Sequence, residues 1–221
     1  MIKSGDYQYI LLTDGTAELT NYTAYAEFLT VPAQIDGHAV ASIGSEAFIN
    51  SEFLSSIILP DCLTTIGIDA FYECRYLTSI TLPSSLTTIG NGAFAGCESL
   101  TRSILPSSLT SIEAWAFSGC ESLASITLPG SLISIGNWAF AGCKSLTRII
   151  LPNSLTSIGS WAFSGCESLT SITLPDSLTT IGNWAFKSCP VSLNFTAVRG
   201  SWAESWCKEN GKNYTYSNSI D

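Results

Sequence analysis

A lone histidine, eight cysteines and a regular scatter of serines are the groups in this sequence that could make or break a covalent bond. His38 stands two residues after Asp36, an arrangement in which a carboxylate can orient an imidazole for general-base work. Neither a second histidine nor a Gly-x-Ser-x-Gly elbow accompanies it, so the serines that follow the turns have no activating partner. Acidic residues occur singly rather than as a facing pair, which argues against two-carboxylate glycoside hydrolysis. There is no phosphate loop and no dinucleotide fingerprint. These residues predict no enzyme and no catalytic residue, and His38 reads as a surface or hydrogen-bonded side chain.

Six of the cysteines, Cys74, Cys97, Cys120, Cys143, Cys166 and Cys189, recur every 23 residues. Metal ligands cluster in short Cys-x-x-Cys spacings, which are absent here. Equivalent residues of stacked coils lie about 4.8 Å apart, whereas a disulfide needs Cβ atoms about 3.8 Å apart and a specific dihedral angle. A ladder of small buried thiols is therefore preferred over disulfides or a metal site, and no cofactor is expected. Cys62 and Cys207 break the pattern.

Residues suited to recognition rather than reaction carry the same period. One row reads Ile58, Thr81, Ile104, Thr127, Ile150, Thr173, and its neighbour Ser56, Ser79, Arg102, Ser125, Arg148, Ser171. Both rows alternate over pairs of coils, which places Arg102-Ile104 and Arg148-Ile150 two rungs, or about 10 Å, apart. A partly apolar strip with two arginines suits an extended protein or acidic ligand. The competing reading is a solvated sheet carrying an inherited duplication. A second row, Trp115, Trp138, Trp161 and Trp184, precedes successive Ala-Phe pairs, where earlier units carry Glu46, Asp69 and Gly92. Exposed, it is a flat aromatic strip for a carbohydrate or for self-assembly. Alternatively, the indoles lie against one another and shield the turns.

The elements that position these rows follow from seven Ala-Phe pairs, Ala47-Phe48 to Ala185-Phe186, in unbroken 23-residue register. A unit of this length cannot bury its own apolar face and must stack on its neighbours as a solenoid. In the unit from Leu77, Ile80 and Leu82 alternate with Ser79 and Thr81 as a half-buried strand, and Pro83 ends it. Leu86 and Ile89 point inward from the return segment, Gly90 permits a tight or left-handed turn, and Ala93-Phe94 closes the core. Glu113 replaces the turn glycine in one unit, so positive φ is not expected there in every coil. Ser103 replaces the inward isoleucine and predicts a looser or shifted strand.

The ends depart from the repeat. Residues 6–13 and 16–22 read as strands joined by the hairpin signal Asp14-Gly15, and Asp36-Gly37 marks another turn. Ser201 and Glu204 form a capping box opening a short helix with Trp202, Ala203, Trp206 and Cys207 as its apolar face. Gly211 stops the helix and Tyr214-Thr215-Tyr216 is a last strand. The expected division is an N-terminal hairpin cap over 1–42, seven repeats over 43–189 and a C-terminal cap over 190–221, forming one continuous domain.

Composition sets the surroundings. Charged residues make up 12% of the chain, and the net charge of −9 with scattered Lys and Arg argues against nucleic acid or an anionic membrane as partner. No apolar run approaches the roughly 20 residues of a membrane span. The first residues do not read as a secretory signal, which is expected of either an internal protein or a trimmed piece of an exported one.

The recurring Leu-Thr-x-Ile-x-Leu-Pro-x-x-Leu-Thr-x-Ile-Gly-x-x-Ala-Phe-x-Gly-Cys resembles the BspA-like, or Treponema-type, leucine-rich repeat. The lead-in Gly5-Asp6-Tyr7 to Ile35-Asp36-Gly37 and the closing Gly200-Ser201-Trp202-Ala203-Glu204 are similar to the usual ends of that family. The resemblance implies a leucine-rich repeat solenoid with a parallel β-sheet on the concave face and short strands or helical turns on the convex one. It also implies a bacterial surface or secreted, non-enzymatic protein that binds a protein ligand, such as host matrix or another microbial surface protein.

Overall fold

The computed structural model describes residues 1–217. Strands β1 (Ile2–Ser4), β2 (Tyr7–Leu11) and β3 (Ala17–Tyr22) form an antiparallel meander, followed by β4 (Phe28–Thr30), β5 (Gln34–Ile35) and β6 (His38–Ile43). Each later coil contributes a three-residue strand and then a two-residue one. These are β7 (Ser56–Ile58) and β8 (Thr65–Ile66), β9 (Ser79–Thr81) and β10 (Thr88–Ile89), β11 (Arg102–Ile104) and β12 (Ser111–Ile112). The series continues with β13 (Ser125–Thr127) and β14 (Ser134–Ile135), β15 (Arg148–Ile150) and β16 (Ser157–Ile158), β17 (Ser171–Thr173) and β18 (Thr180–Ile181). The chain closes with β19 (Asn194–Ala197), α1 (Trp202–Glu209) and β20 (Tyr214–Tyr216).

The architecture is the parallel solenoid that the repeat requires. The longer strands pair in parallel as β4-β7-β9, β11-β13 and β15-β17-β19-β20; the shorter ones pair as β3-β6-β8-β10 and β12-β14-β16-β18. Between the two layers lies a continuous core. Six of the seven repeated phenylalanines, Phe48 to Phe163, are among its most fully buried side chains, with Phe186 buried at the end. Neighbouring rings stack 5.0 to 5.6 Å apart from Phe48 to Phe186. The ladder cysteines are free thiols whose Sγ donates to a phenylalanine carbonyl of the preceding coil, as from Cys74 to Phe48 at 3.0 Å and Cys120 to Phe94 at 3.2 Å.

The repeat glycine has a different role from the one its sequence suggests. Each turn has two left-handed residues: the one directly before Ala-Phe (Glu46, Asp69, Gly92 and the four tryptophans, φ between 53° and 64°) and the one four positions later, such as Asn50, Gly96 or Ser188. Gly90 and its equivalents are instead required by close approach. A Cβ on Gly136 would lie 2.6 Å from the Ala114 nitrogen and 2.7 Å from the Glu113 carbonyl carbon. Where Glu113 stands in that register, among the described residues β10 and β12 are not paired, and the Asn91 side chain instead accepts from the Ala114 N–H at 3.1 Å.

Ser103 is buried in the isoleucine position with no partner for its hydroxyl among the described residues, and β11 is not paired with β9. The same gap separates β13 from β15, where both inward residues are isoleucines, so the serine alone does not cause it.

At the C-terminal end Ser201 Oγ accepts from the Glu204 N–H at 3.1 Å, and Glu204 reaches back to the Gly200 N–H at 2.6 Å, one residue before the expected partner. Ala203, Glu204 and Cys207 are buried, whereas Trp202 is exposed and does not belong to the apolar face.

Candidate functional site

The recognition rows fall on the longer strands, whose middle residue is buried and whose flanking residues point out. Arg102 pairs with Ser125 and Ile104 with Thr127; Arg148 pairs with Ser171 and Ile150 with Thr173. Ser79 and Thr81 lie beside Ser56 and Ile58 in the same register. Ile58, Ile104 and Ile150 are 54%, 71% and 64% exposed, which makes them solvent-facing apolar groups rather than part of the core. Ser79, Thr81, Arg102, Ser125, Thr127, Arg148 and Thr173 are exposed and Ser171 is half-buried. Among the described residues neither arginine is in an ion pair; the cations so engaged are Arg75, Lys144 and Lys208.

The sheet ladder shares the two-coil period of the side chains. Its breaks fall immediately before β11 and β15, the strands that carry Arg102-Ile104 and Arg148-Ile150. The face also extends beyond the sequence reading. Thr30 is in register with Ile58, Phe28 with Ser56, and Thr196 and Thr215 continue the row past Thr173. The signal for the first addition lay in Phe28-Leu29-Thr30-Val31-Pro32, which has the alternation and terminal proline of the repeat strands. Phe28, 70% exposed, adds an aromatic group at that edge.

The tryptophan row forms a stack. Trp115 and Trp138 are 4.8 Å apart and 5° from parallel, Trp138 and Trp161 4.6 Å and 3°, and Trp184 tilts by 33° at 6.0 Å. The inner indoles spend their faces on one another and are half-buried; Trp115 and Trp184 at the ends are 46% and 62% exposed. Lys187 Nζ sits 4.8 Å from the Trp161 ring and 5.0 Å from Trp184. The competing reading of mutual contact therefore describes the row, and a flat strip of open faces does not.

The reactive groups are engaged elsewhere. His38 Nδ1 lies 2.8 Å from the Gly15 carbonyl, while the Asp36 carboxylate accepts from Ser4 Oγ and the Tyr9 hydroxyl at 2.8 and 2.9 Å. Turn serines donate to leucine carbonyls of the preceding coil, as Ser131, Ser154 and Ser177 each do at 2.6 Å. Burial pushes the Cys74 thiol up to about 12 and the Cys189 thiol to about 11, opposite to what a nucleophile needs. Among the described residues no helix is long and apolar enough to cross a membrane.

Comparison with known proteins agrees with this architecture. The model of the BspA type leucine rich repeat region matches residues 41–152 and 87–201. A leucine rich cell surface protein from Faecalibacterium prausnitzii A2-165 superposes with a TM-score of 0.82 at 38% identity, over 89% of this chain and 54% of its own. The chain thus spans about half the length of that relative. A leucine-rich repeat protein of T. pallidum superposes with a TM-score of 0.58 at 27% identity over 97% of both chains. A leucine-rich repeat protein from Bacteroides ovatus (TM-score 0.59, 23% identity, 89% of this chain and 70% of its own) shares the fold. None of the curated proteins searched matches the chain.

Proposed function

The chain belongs to the BspA-type leucine-rich repeat family, and from that premise we propose a non-enzymatic, surface-displayed module that binds a protein through its sheet face. In this reading the repeats over 43–189 form the binding body and the segments 1–42 and 190–221 cap its ends, residues 218–221 lying outside the described residues. The observation that carries the reading is the two-coil alternation of solvent-facing isoleucines with arginines that, among the described residues, have no carboxylate partner, on parallel strands held in register. Arginine beside exposed aliphatic surface is the composition of interface cores, and a fixed backbone lowers the ordering cost of binding. Surface display is supported by the relative described as a cell surface protein. A carbohydrate or self-assembly role for the tryptophans ranks second, because the inner faces are already stacked.

The test starts with a screen of the purified protein against immobilised matrix proteins, bacterial surface proteins and a glycan panel. For a protein hit, Arg102→Ala with Arg148→Ala is expected to weaken affinity by about tenfold or more. Its melting temperature should not change. Unchanged affinity in that variant would exclude the sheet face. A glycan hit with a shift in tryptophan emission would favour the second reading.

A further inference from the structure

Each coil passes its turn backbone to the next. The N–H groups of Trp138, Phe140 and Gly142 donate to the carbonyls of Ser160, Ala162 and Ser164 at 2.9, 2.8 and 2.7 Å. Those of Trp161, Phe163 and Gly165 donate to Asn183, Ala185 and Lys187 at 3.0, 2.8 and 2.8 Å. The last coil has no such successor. After β18 the chain crosses to β19, which extends the opposite sheet against β17, and β18 is left at an edge. Among the described residues nothing accepts from the N–H groups of Trp184, Phe186 or Ser188.

These donors border an open cavity of about 1060 Å³ between the last coil and α1. That is just above the roughly 300–1,000 Å³ of small-molecule sites and leaves room for a short peptide. Ile181, Phe186 and Trp206 line it, and Val191, 95% exposed, stands at its edge. Its charge is one-sided. Lys187 and Lys212 line it with no acidic side chain among the described residues, in a chain with 18 acidic and nine basic residues. Unpaired backbone donors beside apolar side chains can receive one more turn of chain, and the cationic rim selects the sign of what is added.

We propose that this groove is a second binding site, separate from the sheet face, for an acidic peptide segment of another protein that takes up the turn of the preceding coils. The peptide adds as the missing rung: its carbonyls accept from Trp184, Phe186 and Ser188, an apolar side chain packs on Ile181 and Trp206, and flanking carboxylates meet Lys187 and Lys212. At the N-terminal end, by contrast, β3 pairs with β6 and the Tyr22 N–H donates to Ala47, so the first coil already has a partner at that point.

The probe is fluorescein-labelled Asp-Gly-Ala-Phe-Asp-Gly, with the same peptide carrying Lys for Asp as control, followed by anisotropy on the full chain. The acidic peptide is expected to bind, and Lys187→Glu with Lys212→Glu to weaken it by about tenfold or more. Hydrogen exchange at the Trp184, Phe186 and Ser188 amides should slow on binding, a readout that does not depend on the variant folding. Equal binding of both peptides, no binding at about 1 mM, or unslowed exchange at those amides would overturn the proposal. So would binding lost in Arg102→Ala with Arg148→Ala but retained in the lysine variant, which would place the peptide on the sheet face.

Discussion

Glu204 holds the C-terminal end together through one carboxylate. It accepts from Lys208 at 2.6 Å, from the Gly200 N–H at 2.6 Å and from the Tyr216 hydroxyl at 2.8 Å, and these partners lower its pKa from 4.5 to about 2. A carboxyl lowered on folding stabilises fully above its unfolded value and loses that contribution as pH falls through the folded one. Stability of this end is therefore expected to be level above about pH 5 and to decline between about pH 4.5 and 2. Glu204→Gln should lower the neutral-pH melting temperature and flatten that acid decline, as a thermal series across pH would show. Phe140 presents a different kind of dependence. Its ring is fully buried between Phe117 and Phe163, so Phe140→Ala should cost about 3–5 kcal/mol in denaturant unfolding through the cavity it leaves. A variant of unchanged stability would mean that the stack closes over the gap.

The break between β10 and β12 locates a defect in a single element. Glycine in this register lets neighbouring backbones approach within the volume of a Cβ, and Glu113 fills that volume. Glu113→Gly should restore two ladder hydrogen bonds worth about 0.5–1.5 kcal/mol each, against about 0.5–1 kcal/mol for the flexibility of glycine. The net expectation is a gain of about 1 kcal/mol, with slower amide exchange at Thr110 and at position 113. Spacing alone revealed the strands, the phenylalanine ladder and the rows of Arg102, Ile104, Arg148 and Ile150, because burial in a stack repeats with the coil. It did not reveal why Gly90 is glycine, since left-handed φ and close approach leave the same letter in the sequence. Nor did it assign Phe28-Leu29-Thr30 to the sheet, because that strand precedes the regular period. The groove at Trp184 was invisible for a related reason: it is made by the rung that does not follow.

Across the whole molecule, stability accumulates from contacts between adjacent coils, so the ends should open before the middle. The thiols report this position by position. Cys62 and Cys189 are half-buried, whereas Cys120 and Cys143 are fully buried and burial raises both thiols. Maleimide labelling under native conditions, read by mass spectrometry, is expected to modify Cys62 and Cys189 first and Cys120 and Cys143 last. One common rate for all the ladder thiols would mean that the array opens only as a unit. The indole stack has a further, optical consequence. Three near-parallel rings, at 4.8 and 4.6 Å and within 5° of one another, have transition dipoles close enough to couple. The emission of the row is therefore expected to change when these coils separate, which makes it a built-in optical reporter of the opening of the array.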